Sequence, residues 1–224
     1  MKNFEIAAHG IFHEDLRGMS ISEQTRIIIN SKERMEKVIP LNVSGWRSPG
    51  LYFDLGTLIA IKRSNIKWCS NIVLPPWFRQ TPYIDYGNKI ELPIISPLDY
   101  NLFALHFKPK KILKIWLKCL KEVQMRNLNE VFTIMIHPWI YAKKKENMAV
   151  LKEFLQQVAS LETVTSLNCS QLYESIQSLK IDKSIYKNFL RFMARARAII
   201  RENEFSWKVF TTFVTALSNR TYKR

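Results

Sequence analysis

The chain has 224 residues, enough for one domain with a full core, or for a domain with an appendage. Its 47% hydrophobic and 12% aromatic content excludes a disordered polymer, and no run reaches the roughly 18 apolar residues that span a bilayer. A net charge of +15 and a pI near 9.8 favour anionic partners without choosing among nucleic acid, acidic glycans and phosphate-bearing lipids.

Phe4–Ala8 reads as a short strand that ends at His9. His9-Gly10-Ile11-Phe12-His13 then sets two imidazoles four residues apart. On a helical turn such a pair shares a face, and both rings reach one divalent ion. Ser20-Ile21-Ser22-Glu23 has the shape of a capped helix start, and Pro40 ends that helix. Val43–Arg47 is the next strand, closed by Ser48-Pro49-Gly50. Leu51–Arg63 reads as a second helix and Ile66–Cys69 as a third strand.

Residues 74–100 carry Pro75, Pro76, Pro82, Pro93 and Pro97, which predicts a long structured loop with one strand, Ile90–Ile94, inside it. Lys110–Arg126 is an amphipathic helix with its lysines outward. Val131–Ile136 reads as a buried strand ending at His137, Met148–Ser160 as a helix, Val164–Leu167 as a short strand and Ser170–Ser178 as the start of another helix.

From Lys180 onward the chain carries 11 Lys/Arg against 3 Asp/Glu, a net of +8. Arg191, Arg195, Arg197 and Arg201 alternate with apolar residues there, which predicts one or two basic amphipathic helices. They serve either as a solvated face packed on the domain or as a contact for an anionic membrane surface. No nucleic-acid-binding signature accompanies the charge, so nucleic acid is not the expected partner. Cys69, Cys119 and Cys169, spaced 50 residues apart with no C-x-x-C pair, read as three free thiols.

The pattern is one of repeated βα units. His9, Arg47 and His137 each fall at or near the C-terminal end of a predicted strand, and in a parallel α/β barrel those ends form the active-site face. Trp139, Tyr52, Trp77 and Tyr83 are candidates either for a sugar-stacking platform or for core.

The order of these motifs is similar to that of a known family. Glu5-Ile6-Ala7-Ala8-His9-Gly10 leading into His13, then Gly45-Trp46-Arg47-Ser48-Pro49-Gly50, then Ile136-His137-Pro138-Trp139, resembles the polysaccharide deacetylases of the NodB-homology type, carbohydrate esterase family 4. The resemblance covers roughly residues 4–178. It implies an incomplete (β/α) barrel, deformed and TIM-like, over residues 1–179, with a basic helical extension over 180–224. It further implies a divalent metal, usually Zn2+, held by His9 and His13. Arg47 matches the residue that holds a base aspartate, and His137 the acid that protonates the leaving amine. The implied substrate is a glycan or lipid-linked saccharide bearing an N-acyl group.

Two departures accompany the resemblance. The family's Asp-Asp motif, which supplies the base and the third metal ligand, has no counterpart in the eight residues before His9. At Trp68-Cys69-Ser70-Asn71 no aspartate stands where relatives often have one. The expectation is either the C-terminal piece of a longer deacetylase or a degenerate relative, and the survival of His9, His13, Arg47 and His137 favours the first.

Overall fold

The computed structural model describes residues 4–177 apart from 75, 77–82, 85–88, 96 and 127–129. The basic segment over 180–224 and Trp77 lie outside the described residues, as does the side chain of Tyr83. The fold is α/β and mainly parallel, as the βα pattern predicts, and the chain divides into two compact units.

The first unit takes residues 4–72, the described part of 83–93, and 167–177. Its sheet runs in the order β1 (Ala7–Ala8), β2 (Gly45–Trp46), β3 (Trp68–Cys69), β6 (Ile90–Glu91), β5 (Tyr83–Ile84). The first four strands are parallel, and β5 pairs antiparallel to β6. The sheet does not close on itself among the described residues, so this is an arc of a barrel wall.

Helix α1 (Ile21–Val38) starts where the sequence places it. Ser20 Oγ accepts from the Glu23 N–H, and the Glu23 carboxylate accepts from the Ser20 N–H. Helix α2 (Leu55–Arg63) starts four residues later than expected. Pro49–Leu51 form a separate 3₁₀ turn, and Asp54 caps α2 by accepting from the Thr57 N–H at 2.9 Å. Ala8, Leu16, Ile28, Val43, Trp46, Ala60, Ile61, Ile66 and Cys69 fill the space between these helices and the sheet.

The second unit takes residues 73–166 outside that insertion. It holds the parallel pair β4 (Val73–Leu74) and β7 (Ile94–Ile95), then α3 (Asp99–Ala104), α4 (Pro109–Met125), α5 (Pro138–Ala142) and α6 (Lys145–Ala159). Its core gathers Ile112, Trp116, Cys119, Tyr141, Val150 and Phe154. Helix α7 (Cys169–Gln177) returns to the first unit and packs Ile176 on Trp68 and Ile90.

Three expectations change. The single strand over Ile90–Ile94 is two strands in different sheets, parted at Pro93. Val131–Ile136 is extended and half-buried, with Phe132, Ile134 and Ile136 turned alternately to the core, but it forms no strand ladder. The Ile95 N–H donates to the Thr133 carbonyl at 2.8 Å. Val164–Leu167 is not a strand either; Thr165, Ser166 and Leu167 are exposed. The short helices α3 and α5 were not expected.

Gly45 marks the tightest packing in the first unit. A Cβ there would lie 2.0 Å from Trp68 Cζ2, and the Trp68 indole is held by Glu5 at 3.0 Å. Gly45→Ala therefore overpacks a buried interface. Thermal denaturation is expected to show a midpoint lowered by about 3–10 °C.

Candidate active site

Parallel pairing aligns the ends of four strands. Ala8 pairs with Trp46, Trp46 with Cys69, and Cys69 with Glu91. The residues that follow, His9, Arg47, Ser70 and Leu92, therefore leave the sheet side by side. Each is bonded to the next. His9 Nδ1 lies 2.8 Å from the Arg47 carbonyl. Arg47 Nε donates to the Ser70 carbonyl at 3.1 Å, and Nη2 donates to Ser70 Oγ at 2.8 Å. Ser70 Oγ donates to the Leu92 carbonyl at 2.8 Å.

A carbonyl only accepts, so His9 Nδ1 carries the proton in this bond. The lone pair then resides on Nε2, the tautomer that a metal-ligating histidine needs. The His13 ring stands 5.1 Å away, edge to face. The two histidines are not on a helical turn as the spacing predicts. Residues 9–16 form an irregular loop, bent at Gly10 (φ +81°) and at His13 itself (φ +62°). A Cβ at Gly10 would come within 2.6 Å of Glu14 Oε2 and 2.9 Å of Pro49 Cγ. The left-handed backbone at His13 is strained for an L-residue, a cost that recurs at functional sites.

Arg47 is half-buried, and burial pushes its guanidinium down from its ordinary value, while Cys169 and Glu91 oppose that shift. Among the described residues no carboxylate forms an ion pair with it; its hydrogen bonds go to neutral oxygens of Ser70. Three nearby carboxylates are engaged elsewhere. Glu14 accepts from the Ile11 N–H at 3.0 Å, and Asp15 pairs with Arg17. Asp54 accepts from Gly18, Gln24 and Thr57. Among the described residues no group of three or more His, Cys, Asp or Glu side chains gathers as a metal cage. On donor chemistry, His9 and His13 fit as two ligands of a divalent ion, and no third gathers with them among the described residues.

Behind the row lies a carboxylate that sequence reasoning missed. Glu91 is 3% exposed, and burial pushes its carboxyl up. It accepts from the Asn71 and Ile72 backbone N–H groups and contacts Cys69 Sγ at 3.0 Å. Asn71 Oδ1 in turn accepts from the Ser48 N–H at 2.7 Å, and Ser48 Oγ accepts from the Trp46 indole at 3.0 Å. Glu91 thus fixes the turn after β3, and through Asn71 the turn after β2 that carries Arg47.

In the second unit, His137 caps the start of α5 and is oriented by a second missed carboxylate. Asp99 is fully buried. Its Oδ1 lies 2.6 Å from His137 Nδ1, and its Oδ2 accepts from the His137 backbone N–H at 2.6 Å. A carboxylate so placed takes Nδ1–H and leaves Nε2 for chemistry. Burial, and then the Asp99 charge, push the Tyr141 phenol well up, so it stays neutral beside the pair.

Two aromatic rings flank His137: Trp139 at 4.6 Å and Tyr100 at 5.9 Å between centroids, 55% and 48% exposed. Of the stacking candidates, Trp139 keeps an open face, whereas Tyr52 lies under the Arg17 guanidinium at 4.1 Å. Tyr100 was not anticipated. Cys69 and Cys119 are buried and Cys169 is half-buried, and none of the three forms a disulfide, as expected.

No family model and no curated protein matches the sequence. Solved structures do match. A structure from Mycobacterium smegmatis described as a polysaccharide deacetylase superposes with a TM-score of 0.65 at 22% identity, covering 80% of this chain and 64% of that one. A second, from Pseudomonas aeruginosa PAO1 and described likewise, gives a TM-score of 0.62 at 16% identity, covering 80% and 61%. The chain therefore has the polysaccharide-deacetylase fold, and it spans less than two thirds of the length of either structure.

Removing the Glu91 charge tests whether it anchors the row. Glu91→Gln keeps the volume and an oxygen for the two backbone N–H groups that Oε1 accepts, but sets an NH2 against the Asn71 Nδ2 donor where Oε2 stands, and is expected to cost about 1–3 kcal/mol in urea unfolding. Glu91→Ala leaves both donors and a cavity, and is expected to cost more.

Proposed function

We propose that this chain carries the metal-binding and proton-donating half of a hydrolase that removes an acyl group from an N-acyl sugar in a glycan or lipid-linked saccharide. The observation that carries this reading is the His9 hydrogen bond to the Arg47 carbonyl, which sets the lone pair on Nε2, with the His13 ring 5.1 Å away between centroids. The fold likeness to structures described as polysaccharide deacetylases supports it.

In this reading His9 and His13 hold a divalent ion, Zn2+ by donor preference. When bound, such an ion polarises an acyl carbonyl and lowers the pKa of a bound water. Arg47 supplies a fixed positive charge one strand along from His9, where an anionic partner would be held. His137 gives a proton from Nε2 to the departing amine, with Asp99 fixing the ring and balancing its charge. Trp139 and Tyr100 offer apolar faces to a sugar ring beside that imidazole.

The lack of a carboxylate on Arg47 among the described residues favours one further reading, a barrel that binds glycans without turnover. The two part on one measurement: binding without turnover is indifferent to chelator.

Two experiments test the proposal. Titration with Zn2+ is expected to give one equivalent bound, lost in both His9→Ala and His13→Ala; metal content unchanged by either variant overturns the metal site. Acetate release from N-acetylglucosamine oligomers is expected to stop with chelator and to fall about 10²–10⁴-fold in His137→Ala. Proton NMR gives an independent view of the acid. A downfield, slowly exchanging Nδ1–H signal from His137 is expected in the wild type and absent in Asp99→Ala.

A further inference from the structure

Helix α4 (Pro109–Met125) carries only lysines as charged residues as far as Lys121, and Glu122 is its one acid. Residues 108–121 contain six lysines and no acid. Lys110, Lys111, Lys114, Lys118 and Lys121 are exposed, whereas Ile112, Leu113, Ile115, Trp116, Cys119 and Leu120 are buried. At 100° per residue the five lysines fall within about one third of the circumference, opposite the core. At 1.5 Å per residue the stripe from Lys110 to Lys121 is about 16 Å long.

The other long helices are built differently. α1 interleaves Glu23, Glu33 and Glu36 with Arg26, Lys32 and Lys37, and pairs Lys32 with Glu36. α6 sets Lys145 beside Glu146 and Lys152 beside Glu153. A face that only needs to be soluble is served by such mixed signs. α4 also has no acid in its first turn, where the helix dipole favours one, and carries Lys110 and Lys111 there instead. Helix stability does not ask for this arrangement; an external anion does. Among the described residues, Lys110, Lys114 and Lys121 form no ion pair, and Lys111 lies 4.4 Å above the Phe107 ring.

We propose that the outer face of α4 docks on an anionic phospholipid surface. The stripe is straight and made of lysines, point charges suited to a diffuse plane of head groups rather than to bidentate recognition of single phosphates. Its one tryptophan, Trp116, is 1% exposed and offers no ring for stacking a nucleic-acid base. Met125, 67% exposed at the helix end, gives an apolar contact beside the charges. This inference does not depend on the hydrolase reading.

The test is sedimentation with vesicles of phosphatidylcholine alone or mixed with phosphatidylglycerol. Binding is expected only to the anionic vesicles and falls as salt is raised. The triple variant Lys110→Glu, Lys114→Glu, Lys118→Glu is expected to weaken the partition by about a hundredfold, at roughly fivefold per lysine. Lys110→Glu suits the helix dipole, so the variant folds, and circular dichroism verifies it. A control triple, Lys37→Glu, Lys62→Glu, Lys152→Glu, changes the net charge equally on other exposed positions. Equal loss in both triples overturns the proposal in favour of diffuse charge. Absent vesicle binding overturns it too, and an α4-dependent gel shift of single-stranded RNA would then assign the face to nucleic acid.

Discussion

Parallel register is the constraint on which the candidate site rests. Because Ala8, Trp46, Cys69 and Glu91 are paired across four strands, the next residue of each strand emerges in one row. Backbone pairing thereby brings His9 within 2.8 Å of a carbonyl 38 residues away, and Arg47 within reach of Ser70. Neither contact needs a long side chain to search for its partner. The row is as rigid as the sheet behind it, and Glu91 extends that rigidity beyond the last paired residue by holding the turn at Asn71 and Ile72. A carboxylate in a buried place is costly unless its oxygens are met by donors; here two backbone N–H groups meet Oε1, and Asn71 Nδ2 and Cys69 Sγ meet Oε2.

Asp99 applies the same device in the second unit. It is fully buried, and its acceptors are taken by the N–H of Tyr100, the N–H of His137 and the His137 ring. One carboxylate thus fixes both the backbone and the side chain of the residue that precedes α5. His9 is oriented by a neutral carbonyl and His137 by an anion. Either anchor suits its proposed task. A metal ligand needs its ring orientation fixed with one nitrogen turned to the ion, and a proton donor needs its ring held from the opposite nitrogen.

The places of His9 and Arg47 just past strand ends were legible in the sequence, because each follows a short apolar run and the βα rhythm puts such residues there. The carboxylates were not. Glu91 stands within the proline-rich stretch 74–100, where no periodicity marks a central strand, and Asp99 opens a helix of six residues, too short to show a helical pattern. Spacing also misjudged the local geometry of the histidine pair. The i, i+4 rule describes a helix, but Gly10 permits a left-handed bend that brings the rings together by another route. The strand expected over Val131–Ile136 kept its alternation without its ladder, since alternation reports burial rather than pairing. The domain boundary placed at residue 179 and the basic helices beyond it lie outside the described residues.

Among the described residues of the first unit, the Arg47 guanidinium and the proposed cation site each lack an anion. Arg47, half-buried and pushed down by desolvation, is met by the neutral oxygens of Ser70, with Glu91 acting on it only across the network. A guanidinium in such a place is stabilised far more by a carboxylate than by a hydroxyl and a carbonyl. One strand away, a cation held as proposed by His9 and His13 would meet two imidazole nitrogens and no anionic ligand among the described residues. Glu14, Asp15 and Asp54 are too fully committed to local backbone and side-chain donors to serve either need. A pair of adjacent carboxylates, one toward the imidazoles and one toward the guanidinium, would satisfy both at once. The physical demand read from the folded unit thus has the same form as the Asp-Asp motif whose counterpart the sequence resemblance leaves open.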